Sequence, residues 1–136
     1  MEFKKDIQKI IDYSIHFAET MLLDGKEYFP FAATINNKNE LVPISYYEEG
    51  NEFPDSQIII DFLSNNLHNE LNNKKIKAFG ITSDVKVKSA ESEEKVDAVM
   101  IDIHHLDSNE IPRYFFTYSW NSNDELVFGE SFGMNR

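Results

Sequence analysis

Three strand-like runs dominate the second half of the chain: IKAFGITSDVKVK from Ile76, KVDAVMIDIHHLD from Lys95 and IPRYFFTYSW from Ile111, separated only by polar stretches. Strands joined by hairpin-length connections pair antiparallel, because a parallel pair needs a crossover of a dozen residues or more. An antiparallel meander follows, and with it an α+β class. No phosphate-binding glycine loop, nucleophile elbow, zinc-ligand spacing or basic nucleic-acid stripe accompanies it, so the chemistry is left open.

The first half supplies the remaining elements. From Phe3 to Leu23 the residues Ile7, Ile10, Ile11, Ile15, Ala18, Met21 and Leu22 recur at helical spacing, with Lys5, Asp12, His16 and Glu19 on another face. Asp24-Gly25 is expected to stop this helix. FPFAATI and LVPISYY flank the turn NNKNE, whose Asn residues tolerate positive φ, and together they predict a β-hairpin. Pro43 has no N–H to give a ladder and marks the second strand as an edge. Asp55 or Ser56 is placed to cap a second helix running to about Asn73, with the stripe Ile59, Phe62, Leu63, Leu67 and Leu71. After Trp120, Leu126 to Phe128 predicts either a short extra strand or a packed tail. The expected layout is α-β-β-α-β-β-β: a five-stranded antiparallel sheet with both helices packed on one face.

A chain of 136 residues with 41% hydrophobic and 13% aromatic content suits one domain, 1–136, with one core. Thirteen basic against 24 acidic residues leave a net charge of -11. Such a charge repels polyphosphate and anionic lipid over a Debye length of roughly 8 Å, which argues against nucleic acid or an acidic membrane as partner. The charged N-terminal stretch lacks the uninterrupted apolar core of a secretory signal, and no run reaches the ~20 apolar residues of a membrane span. Without cysteine there is no disulfide framework, thiol nucleophile or thiolate-ligated zinc. A soluble cytoplasmic protein without a cofactor is the expectation.

Alternation along the meander sorts residues by parity. Phe79, Ile81, Val85, Val87, Val99, Ile101, Ile103 and Phe115 are expected on the helix-covered core face. The opposite parity carries Ala78, Gly80, Thr82 and Asp84, then Ala98, Met100, Asp102 and His104, then Tyr114, Phe116, Tyr118 and Trp120. The candidate binding face is accordingly Asp84, Met100, Asp102, His104, Tyr114, Phe116, Tyr118 and Trp120, since aromatic side chains with polar tips anchor contacts. Left exposed, its aromatic row would invite a second copy, giving a homodimer.

Asp102, His104 and His105 form the densest chemically capable cluster, with Asp84 on the neighbouring strand; a carboxylate can orient an imidazole for general-base work. Adjacent His104 and His105 point to opposite faces of a strand, so they cannot both face one metal, and no metal site or catalytic residue is assigned. Asp12, His16 and Glu19 on the first helix, His68 on the second, and the loop acids Glu48, Glu49, Glu52, Glu91, Glu93 and Glu94 read as solvated groups.

The blocks FPFAATINNKNELVPISYY, PDSQIIIDFL, IKAFGITSDVKV and EEKVDAVMIDIHHLD resemble a family of small, functionally uncharacterised bacterial proteins. The resemblance implies a bacterial cytosolic origin and a partner-dependent role, and it brings no activity. The element order resembles the roadblock and profilin-like layout, which implies a sheet order of 2-1-5-4-3. From these readings the chain is expected to be a non-catalytic interaction module, of adaptor or immunity type, with a protein partner of basic character. The alternative is a small enzyme or ligand-binding domain centred on Asp102, His104 and Asp84.

Overall fold

The computed structural model describes residues 2–46, 49–50, 54–88 and 94–135. Helix α1 (Glu2–Gly25) is followed by β1 (Phe31–Asn36), β2 (Leu41–Ile44), helix α2 (Ser56–Asn72) and the strands β3 (Ile76–Lys88), β4 (Lys95–His105), β5 (Arg113–Trp120) and β6 (Leu126–Met134). The class is α+β with an antiparallel sheet and two helices, but the sheet has six strands in the order β2-β1-β3-β4-β5-β6. Leu126–Phe128 opens a full strand on β5 rather than a packed tail. β3 returns beside β1, so the first and last strands do not meet at the centre as they would in the order 2-1-5-4-3.

Local chemistry sets the ends. The Asp55 carboxylate accepts from the N–H groups of Gln57 and Ile58, satisfying two of the donors orphaned at the start of α2. At the end of α1 the left-handed residue is Lys26 (φ 62°), one beyond the expected glycine, and its N–H bonds the Leu22 carbonyl at 2.8 Å. The β1–β2 and β5–β6 turns are built alike. In NNKNE, Asn36 accepts from the N–H groups of Lys38 and Glu40, and Asn39 takes φ 65°. In NSNDE, Asn121 accepts from those of Asn123 and Glu125, and Asp124 takes φ 60°. An Asn at the first position and an Asn or Asp in the left-handed fourth close both hairpins.

The helices lie on opposite faces of the sheet, not on one. Ile10, Ala18 and Leu22 of α1 pack with Phe31, Ile35, Ala78, Val99, Ile101 and Ile103. Ile59, Leu63, Leu67 and Leu71 of α2 pack with Ala32, Ile76, Phe79 and Ile81. Phe62, expected in the α2 stripe, is about half exposed and meets Tyr46 edge-on instead. α1 comes so close to β3 that a Cβ on Gly80 would sit 2.5 Å from the Ile10 Cγ2 methyl.

Two covers follow from register. β3 and β4 pair as Thr82↔Ile101 and Ile81↔Asp102, so even positions on one strand share a face with odd positions on the next. The cause is the count between the paired Lys88 and Lys95: residues 89–94 are even in number, and an even connection reverses numbering parity across a hairpin. Ile81 therefore does not share a face with Ile101 and Ile103, nor Phe115 with Val99. Every residue grouped by parity within a strand stays together; the joins between strands were out of phase.

Candidate functional site

The eight residues expected on one face are divided between two. Asp84, Tyr114, Phe116, Tyr118 and Trp120 lie on the α1 side, while Met100, Asp102 and His104 lie on the α2 side. The aromatic row packs into the α1-side core, with Tyr118 buried and Tyr114, Phe116 and Trp120 half-buried, so it does not form the open patch on which a homodimer was expected.

On the α2 side, His104 Nε2 lies 3.3 Å from Asp102 Oδ1, and Arg113 Nε approaches the other carboxylate oxygen at 3.9 Å. His68 completes this group from α2: its ring is 4.4 Å from that of His104, and it meets Phe79 edge-on while His104 stacks on the same ring. Its position flanking the buried stripe Leu63, Leu67 and Leu71 was the available signal, since a residue next to such a stripe faces the margin of the helix footprint. The two imidazoles and the carboxylate hold one another by ring packing and the polar contact of His104 with Asp102. No group of three or more His, Asp or Glu side chains converges on a common metal position among the described residues.

His105 turns to the other face, as the strand requires, into a buried pair the sequence did not disclose. Its Nε2 is 2.8 Å from Asp6 Oδ2, and its Nδ1 accepts the Asp107 N–H at 3.0 Å. An accepting Nδ1 places the ring proton on Nε2, where it is donated to Asp6. Lys77 Nζ adds a second contact to Asp6 at 3.5 Å and also donates to Asn39 Oδ1. Both ring nitrogens are thus engaged, and the pair clamps the start of α1 to the end of β4 instead of serving as a base.

A third polar group lies where α1 ends. The Tyr118 hydroxyl reaches over β4 and donates to Asp84 Oδ1 at 2.7 Å. Asp84, together with Met21, Asp24, Gly25, Glu27, Tyr28, Phe29 and Ser56, lines a cleft of about 440 Å³. Partial desolvation pushes the carboxyl of Asp84, a residue with much of its surface exposed, above the ordinary carboxylate range against the pull of the Tyr118 hydrogen bond and of the Lys86 charge, and the charges of Asp97 and Glu27 add to the rise. Burial also pushes the Tyr28 and Tyr118 phenols up; the Asp84 charge adds to the rise at Tyr28, and its hydrogen bond adds at Tyr118.

The remaining notable surface is a sheet region with little helical cover. α2 packs chiefly on β1 and β3, and α1 on β1, β3 and β4, which leaves the α2-side face of the β5–β6 hairpin as a wing without helical cover, its other face joining the α1-side core. On its α2-side face Phe115 and Phe132 stack at 5.3 Å, and Val127 and Met134 stand 43% and 52% exposed. β6 is also an edge. Its opposite number, β2, has four residues and Pro43, as the sequence predicted for an edge; β6 has nine residues, no proline and one charge, Glu130. A single bulge interrupts it, where Thr117 Oγ1 donates to the Glu130 carbonyl past Gly129.

On α1, Asp12 accepts from Gln8 at 2.7 Å and stands exposed beside exposed His16, a solvated face. Glu48, Glu52, Glu91 and Glu93 lie outside the described residues. No described helix is long and apolar enough to cross a membrane. No family model matches the chain, and neither a curated protein nor a solved structure shows significant similarity to it.

Proposed function

We propose that this chain is a non-catalytic protein-interaction module, of adaptor or immunity type, that docks a basic partner on the β5–β6 wing. The observation that carries the reading is the unequal treatment of the two sheet edges. A sheet edge presents unpaired N–H and C=O groups, and proteins blunt edges with short strands, proline and lysine. β2 has the first two of these devices, whereas β6 is long and nearly uncharged beside the exposed Val127 and Met134. An extended segment of a partner could add to β6 by main-chain hydrogen bonds and cover those side chains. The net charge of -11 disfavours a second copy as that segment and favours a basic one.

The test is an amide-resolved NMR titration with two short strand-forming peptides, one flanked by lysines and the other by glutamates. The lysine peptide should perturb amides from Leu126 to Met134, and Val127→Lys with Met134→Lys should abolish the effect. Equal responses to both peptides, or perturbation confined to other strands, would overturn the reading.

The enzyme or ligand-binding alternative draws its support from the contact of Asp102, His104 and His68 on the α2 side. Asp84, its third expected member, projects from the other face of the sheet. The Asp102–His104 pair that is left supports binding or proton exchange at His104 more than nucleophilic chemistry.

A further inference from the structure

The cleft at the end of α1 collects negative potential without a basic side chain in its lining. A helix C-terminus carries roughly half a negative charge on its unpaired carbonyls and is normally complemented by Lys, Arg or His in the last turn. α1 has none there; its last turn ends in Asp24-Gly25, and Glu27 and Asp84 line the same cleft. The adjacent Lys26 is drawn elsewhere, to Asp124 at 2.6 Å and over the Trp120 ring at 5.0 Å from its centroid. At the start of α2 two of the orphan amides, those of Gln57 and Ile58, which would favour an anion, are already taken by Asp55.

A second observation points into the cleft independently of these acids. Tyr28 lines it and is 8% exposed, yet its buried hydroxyl has no hydrogen-bond partner among the described residues. Buried hydroxyls are nearly always partnered, so an orphan of this kind marks a place where a further group fits. Tyr118 spends its own proton on Asp84 Oδ1, and the hydroxyl oxygen of Tyr28 retains acceptor capacity. Phe29, 44% exposed, adds an aromatic wall, and Met21 an apolar one.

We infer that this cleft is a binding site for an organic cation, a protonated amine or guanidinium, seated against Asp84 and flanked by Tyr28 and Phe29. A compact cation with N–H donors offsets the helix terminus and the carboxylates, offers a donor toward Tyr28, and meets the ring faces by cation–π attraction. A bare metal ion fits less well, since half of the lining is aromatic or apolar. The cation can be a free small amine or the side chain of an arginine or lysine on a partner.

The experiment is an amide-resolved NMR titration of the whole chain with n-butylguanidinium and n-butylammonium, with sodium butyrate and matched sodium chloride as controls. Saturable shifts confined to Met21–Phe29, Ser56 and Asp84 are expected for the two cations alone. Asp84→Asn should weaken binding about tenfold, the loss of one charge-assisted hydrogen bond. Tyr28→Phe, which keeps the ring and the packing, should weaken it by a smaller factor. A single-arginine blocked peptide binding about tenfold or more tighter than n-butylguanidinium assigns the cation to a partner's side chain; equal affinity assigns it to a free amine. Non-saturating shifts spread over the acidic surface, or unchanged affinity in both variants, would overturn the proposal. Val127→Lys with Met134→Lys should leave cation binding intact, so this site and the wing stand or fall separately.

Discussion

The strands β1, β3 and β4 and the β5–β6 wing are made from similar material and treated differently. Both are antiparallel and both alternate, and the turn leading out of β1 into β2 uses the same Asn-led five-residue motif as the β5–β6 turn. In the first region each face has a helix, and Ala33, Ile35, Phe79, Gly80, Ile101 and Ile103 are buried. In the second the same alternation leaves Val127 and Met134 in solvent and an edge without proline. Apolar surface under a helix contributes to folding, while apolar surface beyond both helices is available for association. The molecule thus separates the part that holds it together from the part we assign to contact.

The widest gap should come from truncating the large buried rings. Phe79, fully buried between α2 and the sheet, should cost about 3–5 kcal/mol as Phe79→Ala, whereas Phe132→Ala on the half-buried wing should cost well under half of that in the same urea titration. Comparable losses would mean that the wing belongs to the cooperative core. Next comes Gly80→Ala, which drives a methyl against Ile10; overpacking of a tight core costs about 1–3 kcal/mol. A neutral result would show that α1 can lift from β3. Removing the α2 cap by Asp55→Ala should lower stability by about 0.5–2 kcal/mol. On the wing, Val127→Lys with Met134→Lys should stay within about ±0.5 kcal/mol per exposed site while abolishing strand-peptide binding; a large stability loss would instead make those side chains part of the fold.

The smallest effect is a change in pH dependence. Because burial raises the Asp84 pKa in the folded chain, the folded state holds that proton more tightly than the unfolded one. This group's favourable contribution is therefore complete below the ordinary carboxylate value of ~3.9 and is lost as pH rises through the raised folded value. Asp84→Asn keeps an acceptor for Tyr118 and should remove that loss, making the variant relatively more stable at neutral pH than in acid. Melting curves from pH 3 to 7 that run parallel for the two proteins would show that Asp84 carries no such penalty.

Much of the architecture was legible because it depends on neighbours in the chain. The amphipathic stripes announce both helices, Asp55 announces its cap, and Pro43 announces an edge. The sixth strand was legible too. NSNDE repeats the Asn-first, Glu-last pattern of NNKNE, and treating the second as the hairpin turn that the first already was would have extended the meander by one strand. His105 shows the opposite case: nothing near it in sequence names Asp6, ninety-nine residues away, as its partner.

What the sequence determined by itself is each strand's internal alternation, each helix's apolar side and the turns, all set by backbone periods of 2 and 3.6 residues and by the φ preferences of Asn, Asp and Pro. What only the tertiary structure decided is how those faces join. The phase between β3 and β4 rests on a connection of even length, and that one step moved Ile101 and Ile103 to the α1 side and sent Asp102 and His104 to the other. It also decided that the helices take opposite faces and that the α2-side face of β5–β6 is left uncovered, since a helix buries whichever sheet surface the crossover lets it reach, and α2, leading from β2 to β3, packs on β1 and β3 and meets β4 through His68 and His104.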